Sequence, residues 1–408
     1  MSPAEHQSEP GRLENPYMVF YDGPLTCKTD VNGLEFDFNH GARVKVPKGN
    51  WRIKIVDRDS LLTLYDVKAD TSIVSTVKKY YINYRIEIYQ DNRLIFTHDF
   101  NPACRKVLFQ YPARSIIGDS IASIPYIEVF KYIHNCEVYC AIDPKIAALL
   151  HKTYPDIHFI DTDQRPPDIY AAYYMGYFFP CTERIYHPVD WRIAGLQKAI
   201  AYLLGLRPEE IAAHIAPNNF TRTIKEPYVC IATQATSQAK YWNNPAGWIN
   251  TIEHLKKKGY RVLCIDKEKY HGMGAHWNCM PPGAEDLTGA LPLQARVDLL
   301  YHADFFIGLA SGLSWLAWAV GIPVVLISGF SLPVTEFYTP YRVINYHTCN
   351  GCFTDSRIQF DNTNFAWCPR RQHTDREFEC TRLITSQHVN RVIDQLMTDY
   401  EMHPETGI

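Results

Sequence analysis

The chain has 408 residues, 46% of them apolar and 21% charged, with a formal charge of −3. That length calls for two or three domains, and the composition excludes a disordered chain. The near-neutral charge, with no basic aromatic stripe, gives no reason to expect nucleic-acid binding as the main task.

Residues 1–20 are polar, carry Pro3, Pro10 and Pro16, and are expected to form a flexible arm. They hold no apolar segment with a cleavage site, and no run reaches the roughly 18 apolar residues that span a bilayer. A cytoplasmic protein without a membrane span is therefore expected. Twelve cysteines in a reducing compartment are not expected to pair as disulfides. Those inside apolar strands, such as Cys230 and Cys264, read as small buried hydrophobes. The 27 Tyr and 8 Trp suit a protein that handles sugars or builds large interfaces.

Residues 21–105 read as all β. Asp30-Val-Asn-Gly33 carries a hairpin signal, and 42–46, 51–55 and 82–88 alternate apolar with polar side chains. A small barrel or sandwich is expected there, with docking or assembly as its default role. Residues 106–220 change to α/β. A strand over 106–110 leads through Ser115-Ile-Ile-Gly-Asp119 into a helix over 120–132, followed by strands at 137–142 and 157–160 and a helix over 195–204. The Pro-rich, aromatic stretch 162–192 shows no assignable pattern, and 208–227 reads as a linker. Residues 221–345 form a second α/β unit, with strands at 227–232, 261–265, 304–307 and 324–328 and helices over 246–258 and 293–302. Residues 346–382 interrupt the pattern with four cysteines, and a last helix near 387–400 lies within 383–408. Two doubly wound units in tandem place a cleft between them, each presenting its strand ends to it.

The most informative segment is 305–327, which reads as buried strand, small-residue turn, apolar helix and second buried strand. The turn Ala310-Ser311-Gly312 opens the helix, so free backbone N–H groups and the hydroxyls of Ser311 and Ser314 are expected to point out of its N-terminus. That makes an anion site at the carboxyl end of a parallel strand, where open α/β sheets bind ligands. Gly321 closes the helix and Pro323 prevents its continuation. The alternative is an ordinary Gly-Ser turn.

Strand 228–232 runs into Thr233, Gln234 and Ser237 and one cation, Lys240, a set suited to gripping a diphosphate. A lone solvated lysine is the bland alternative, against which stands its place between a strand end and Trp242. Asp266, at the end of strand 262–265, either takes ribose hydroxyls or caps the next helix. In the first unit Asp119 lies near a helix N-terminus facing the same cleft. It is either a cap or a general base that removes a hydroxyl proton, with Gly118 letting backbone approach a sugar closely. Cys349, Cys352, Cys368 and Cys380 follow a C-x2-C start with two further thiols inside about thirty residues, a tetrahedral sulfur site. Zinc and a single iron both fit, spacing does not choose, and four protein ligands leave no open position, so the metal reads as structural.

These motifs together resemble the bacterial autotransporter heptosyltransferases, related to the lipopolysaccharide heptosyltransferases. The resemblance runs from Asp37-Phe-Asn-His-Gly-Ala-Arg43 to Cys380-Thr-Arg-Leu-Ile384. It is carried by Ile117-Gly-Asp119, 227–234, 238–244, 308–318, 326–333 and the four cysteines. It implies an α/β fold of the GT-B type, with two Rossmann-like domains, an N-terminal small β-barrel and a C-terminal four-cysteine metal finger holding one iron ion, expected as Fe(III), per subunit. It also implies dodecamers that transfer heptose from ADP-glycero-manno-heptose to serines of an autotransporter adhesin. By position, Asp119 looks like the base and Lys240 like the diphosphate ligand, while Ser311, Gly312 and Leu313 match the phosphate loop. Ile117, Gly118, Thr233, Gln234, Ser237, Asp266 and Gly308 complete the expected donor site. Two alternatives are weighed. A dinucleotide oxidoreductase lacks any G-x-G-x-x-G after its strands. A metal-finger interaction or scaffold protein would bind no nucleotide.

Overall fold

The computed structural model describes residues 23–113, 116–177 and 184–402. The expected arm at 1–20 and the turn residue Ser115 lie outside them. Within the described residues no helix is long and apolar enough to cross a membrane.

Three bodies of sheet organise the chain. A parallel set, His158–Ile160, Glu137–Ala141, Lys106–Gln110 and Ile169–Tyr174, continues into Glu35–Asn39, Arg43–Lys45 and Ile73–Ser75 from the N-terminal region. A second, six-stranded parallel sheet runs Glu285–Asp286, Arg261–Cys264, Tyr228–Ile231, Phe306–Leu309, Val324–Ile327, Arg342–Val343. The third is antiparallel: Thr63–Ala69, Trp51–Asp57, Tyr84–Gln90, Arg93–Asp99.

The boundary expected at residue 105 is therefore not a boundary between sheets. Strand Glu35–Asn39 lies parallel to Ile169–Tyr174, with Phe38 opposite Ala171 and Asn39 opposite Ala172. Its other neighbours are antiparallel, so this one N-terminal strand joins the parallel and antiparallel parts of a single sheet. Among the described residues no pairing closes the four-stranded sheet on itself. It packs face to face on the first sheet instead, through Phe36 against Phe96 and Phe38 against Tyr84. Alternation of Trp51, Ile53 and Ile55 with polar neighbours buries one face and leaves the other wet, as an antiparallel sheet allows.

The second sheet shows why its strands read as continuous apolar runs. All four residues of Val324–Ile327 and of Tyr228–Ile231 are buried. Alternate side chains serve opposite cores. Tyr228 and Cys230 join a cluster that extends through Trp315 and Leu316 into the first unit. Val229 and Ile231 join a second cluster, which also holds Val389, Ile393 and Leu396 of the helix Ser386–Asp399. The apolar contact between the lobes is continuous, and it fixes how their strand ends face one another.

The helices 247–257, 293–301 and 386–399 fall close to their expected places. Two differences matter for the site. The first long helix runs Ile117–His134, so Gly118 and Asp119 stand inside its first turn rather than ahead of it. A further strand, Ile169–Tyr174, fills part of the unassigned stretch at the centre of the first sheet; residues 178–183 lie outside the description.

Candidate active site

Two helix N-termini, one from each parallel sheet, meet in the cleft. The helix Ile117–His134 follows strand Lys106–Gln110, and the helix Gly312–Val320 follows strand Phe306–Leu309; the two helices pack together. Their contact is made by glycines. A Cβ on Gly118 would come within 2.8 Å of Trp315 Cδ1, and one on Gly312 within 3.2 Å of Ile117 Cβ. Neither helix is capped by a side chain, since the cap positions Ile116 and Ser311 make no such bond. Ser314 and Trp315 donate their N–H groups back to Ser311 O, at 3.2 and 3.4 Å. The earlier N–H groups of Gly312 and Leu313 have no such partner within the helix. An anion placed there meets aligned donors and the positive end of the helix.

Ser314 departs from expectation. Its hydroxyl donates inward to Leu309 O at 2.5 Å and is buried, so only the Ser311 hydroxyl stands at the mouth of the turn. Gly308, inside the strand, is a packing position: a Cβ there would lie 2.4 Å from the Phe306 ring and 2.7 Å from Ser314 Oγ.

Asp119 is half-buried, and its carboxylate makes no hydrogen bond among the described residues. The cap alternative is thereby answered. Desolvation pushes its pKa up to about 6, while the charge of Lys240 draws it down. Burial thus outweighs the charge of Lys240. Lys240 ends the short 3₁₀ turn Gln238–Lys240. Burial lowers its pKa, opposed by the charges of Glu336 and Asp119. The acid and the lysine are coupled by charge alone, with no hydrogen bond between them.

Glu336 was not singled out in the sequence. It is buried, accepting from Ser331 Oγ at 2.6 Å and from Arg342 at 2.9 Å. Two aromatic rings also escaped notice. The Lys240 ammonium sits 5.3 Å from the Phe330 centroid and 5.5 Å from that of Phe353. The signal existed, because Phe353 directly follows Cys352 in the cysteine segment.

The remaining expected donor residues are engaged with one another. Asp266 is buried and accepts from Thr233 N–H at 2.7 Å, Thr233 Oγ1 at 2.9 Å, Gln234 N–H at 3.2 Å and Cys264 Sγ at 3.4 Å. Three of these bonds reach Oδ2 and one reaches Oδ1, so the carboxylate braces the 233–234 loop. Ser237 is buried and donates to Phe365 O at 3.2 Å. Ile117 and Leu313 are half-buried beside the helix contact.

The four cysteines are electrostatic neighbours. Cys352 and Cys380 are each pushed up to about 12, by burial first and then by neighbouring sulfurs, among them those of Cys349 and Cys368. Among the described residues, no three His, Cys, Asp or Glu side chains are drawn tightly enough to form a metal cage. The donor set still suits a thiophilic ion, because thiols that raise one another are those a cation would ionise. Glu379 ties the segment together, accepting from Cys349 N–H at 2.9 Å and from Arg376 at 2.7 Å.

Residues 31–92 match the family model for the N-terminal domain of glycosyltransferase TibC, and residues 196–354 match glycosyltransferase family 9 (heptosyltransferase). Fold and site together define an α/β glycosyltransferase. The chain is 48% identical over 392 residues to the autotransporter heptosyltransferase BAHTCr of Citrobacter rodentium (strain ICC168), covering 94% of each. It is also 48% identical over 387 residues to the autotransporter heptosyltransferase TibC of Escherichia coli O78:H11 (strain H10407 / ETEC), covering 93% of this chain and 94% of that one. It superposes with a TM-score of 0.89 and 46% identity on the crystal structure of dodecameric iron-containing TibC in complex with ADP-D-beta-D-heptose, over 92% of this chain and 99% of that one. E. coli ADP-heptose lps heptosyltransferase II, 14% identical with a TM-score of 0.50 over 73% of this chain and 99% of that one, shares the fold alone. The chain belongs to the autotransporter heptosyltransferase family, and the oxidoreductase alternative gives way to that assignment.

Proposed function

We propose that this enzyme transfers heptose from ADP-glycero-manno-heptose to serine hydroxyls of an autotransporter adhesin, in one inverting displacement. The observation that carries the reading is the meeting of two uncapped helix N-termini, with Asp119 on one, the Ser311–Leu313 turn on the other, and Lys240 within the same field. The relation to TibC, crystallised with ADP-D-beta-D-heptose, supports the choice of donor.

The diphosphate lies against the N–H groups of Gly312 and Leu313, the Ser311 hydroxyl and the Lys240 ammonium. Burial lowers the pKa of Lys240, and an anion beside it favours its charged form, so its charge counts for more as charge grows on the departing ADP. Asp119 accepts the serine proton as its oxygen attacks the anomeric carbon. A carboxylic acid raised to about 6 is ionised at neutral pH yet basic enough to take that proton. Gly118 and Gly312 keep the two N-termini close, aligning both substrates. Thr233, Gln234, Ser237 and Asp266 act through the loop they stabilise, and Ile117 and Gly308 through packing.

Cys349, Cys352, Cys368 and Cys380 would hold one iron ion, taken as ferric, whose contribution when bound is to cross-link the segment. Assembly into dodecamers and action in the cytoplasm before export of the adhesin complete the proposal.

The test is mass spectrometry of a candidate adhesin fragment incubated with the purified enzyme and ADP-heptose. The expected result is added mass in whole anhydroheptose units, localised to serines. A fragment that stays unmodified, with no heat of ADP binding by calorimetry, would return the chain to the metal-finger scaffold alternative.

A further inference from the structure

The segment bearing Lys240 is held in large part by the cysteine region and the residues that flank it. Gln238 N–H donates to Phe365 O at 2.8 Å, and Ala239 packs in one apolar cluster with Phe330, Trp367, Cys368 and Phe378. Beyond the lysine, Asn243 donates to Thr381 Oγ1 at 2.8 Å and Trp242 Nε1 to Ile384 O at 2.9 Å. The ammonium itself projects over two rings stacked on each other, Phe330 and Phe353, whose centroids are 4.8 Å apart at 28°. Backbone bonds lock the rings in place: Phe353 N–H to Phe330 O at 3.1 Å and Gly351 N–H to Gly329 O at 2.9 Å.

A buried lysine has lost water and has four rotatable bonds. Something must choose its direction before a diphosphate arrives. The carboxylates cannot do this by contact, since both act on it only through their charge. Ring faces can, because an ammonium over a quadrupole in a desolvated site is held without being neutralised. A carboxylate in contact would compete with the phosphate for the same charge; a ring does not.

We infer that Phe353, stacked on Phe330, is a positioning residue for the Lys240 ammonium, and that the cysteine segment is built into the catalytic cleft as its support. This deepens the proposed function and rests on Lys240 as the diphosphate ligand.

The experiment is a double-mutant cycle on the full-length protein, with ADP affinity read by calorimetry and donor KM and kcat read separately. Phe353→Leu keeps the bulk and removes the ring face. It is expected to weaken ADP binding roughly fivefold, about 1 kcal/mol, and Phe353→Tyr to restore it within about twofold. In a Lys240→Ala background, Phe353→Leu is expected to cost nothing more. An equal loss in both backgrounds overturns the positioning role while leaving Lys240 in place. Unchanged ADP binding in Lys240→Ala alone overturns the underlying assignment of Lys240 instead. Should Phe353→Leu melt below the assay temperature, Phe330→Leu carries the same cycle from the other ring.

Discussion

The two helix N-termini that meet at the site are alike in backbone and differ in charge. Each follows a buried parallel strand, lacks a side-chain cap, and presents a glycine to its counterpart. The turn at Ser311 carries no ionisable group and is left ready for an anion. The turn at Ile117 brings its own carboxyl group, Asp119, whose pKa burial raises to about 6 and which the proposed mechanism uses as a base. The comparison teaches that a helix N-terminus supplies positive potential only, and that the side chain beside it and the water it loses set what the site can do.

The largest effect is expected from removing the charge of the first turn. Asp119→Asn should lower kcat by about a thousandfold, in the range of lost general-base catalysis, while ADP affinity stays within about twofold. Comparable loss of both in steady-state and calorimetric data would make the two termini one binding site, and the contrast would break. Next comes pH. With Asp119 raised to about 6, kcat/KM should be level above that value and fall about tenfold per unit below it, as protonation removes the base. A profile that breaks nearer the ordinary carboxylate range would show that the helix N-terminus outweighs burial after all.

The glycines sharpen the comparison further. Gly118→Ala puts a methyl 2.8 Å from Trp315 Cδ1 and should cost about tenfold in kcat/KM by spreading the two turns. Gly312→Ala meets Ile117 at 3.2 Å, where a small shift suffices, and should cost about twofold. Reversed order would place the critical approach on the donor side. The smallest effect on binding is expected at Asp266. Asp266→Asn disturbs a buried set of four hydrogen bonds and should lower stability by about 1–3 kcal/mol in thermal melts, with ADP affinity unchanged in the folded protein. A selective loss of ADP affinity would restore the ribose role.

Legibility differs from element to element for physical reasons. The strands 228–231, 261–264, 306–309 and 324–327 stand out because parallel strands covered on both faces must be apolar throughout. Strand Ile169–Tyr174 does not, since Ala-Ala and tyrosines among prolines resemble neither template, although all six residues are buried. The first long helix starts at Ile117, ahead of its expected place at 120, because Ile116 gives no capping signal. Ser314 is expected at the cleft from its spacing, but its hydroxyl finds an acceptor one turn back along the chain.

Amino-acid order alone settled the kinds of element, the Gly-Ser turn, the family likeness and the four clustered thiols, because all of these are written in local spacing and residue chemistry. Tertiary structure decided which sheet the N-terminal strands join, that Asp266 accepts from the Thr233–Gln234 loop, and that Glu336, Phe330 and Phe353 gather around Lys240. Those outcomes depend on contacts between segments far apart in the chain, on how much water each charge loses, and on which donor reaches an acceptor first. None of these is a property of a short stretch of chain.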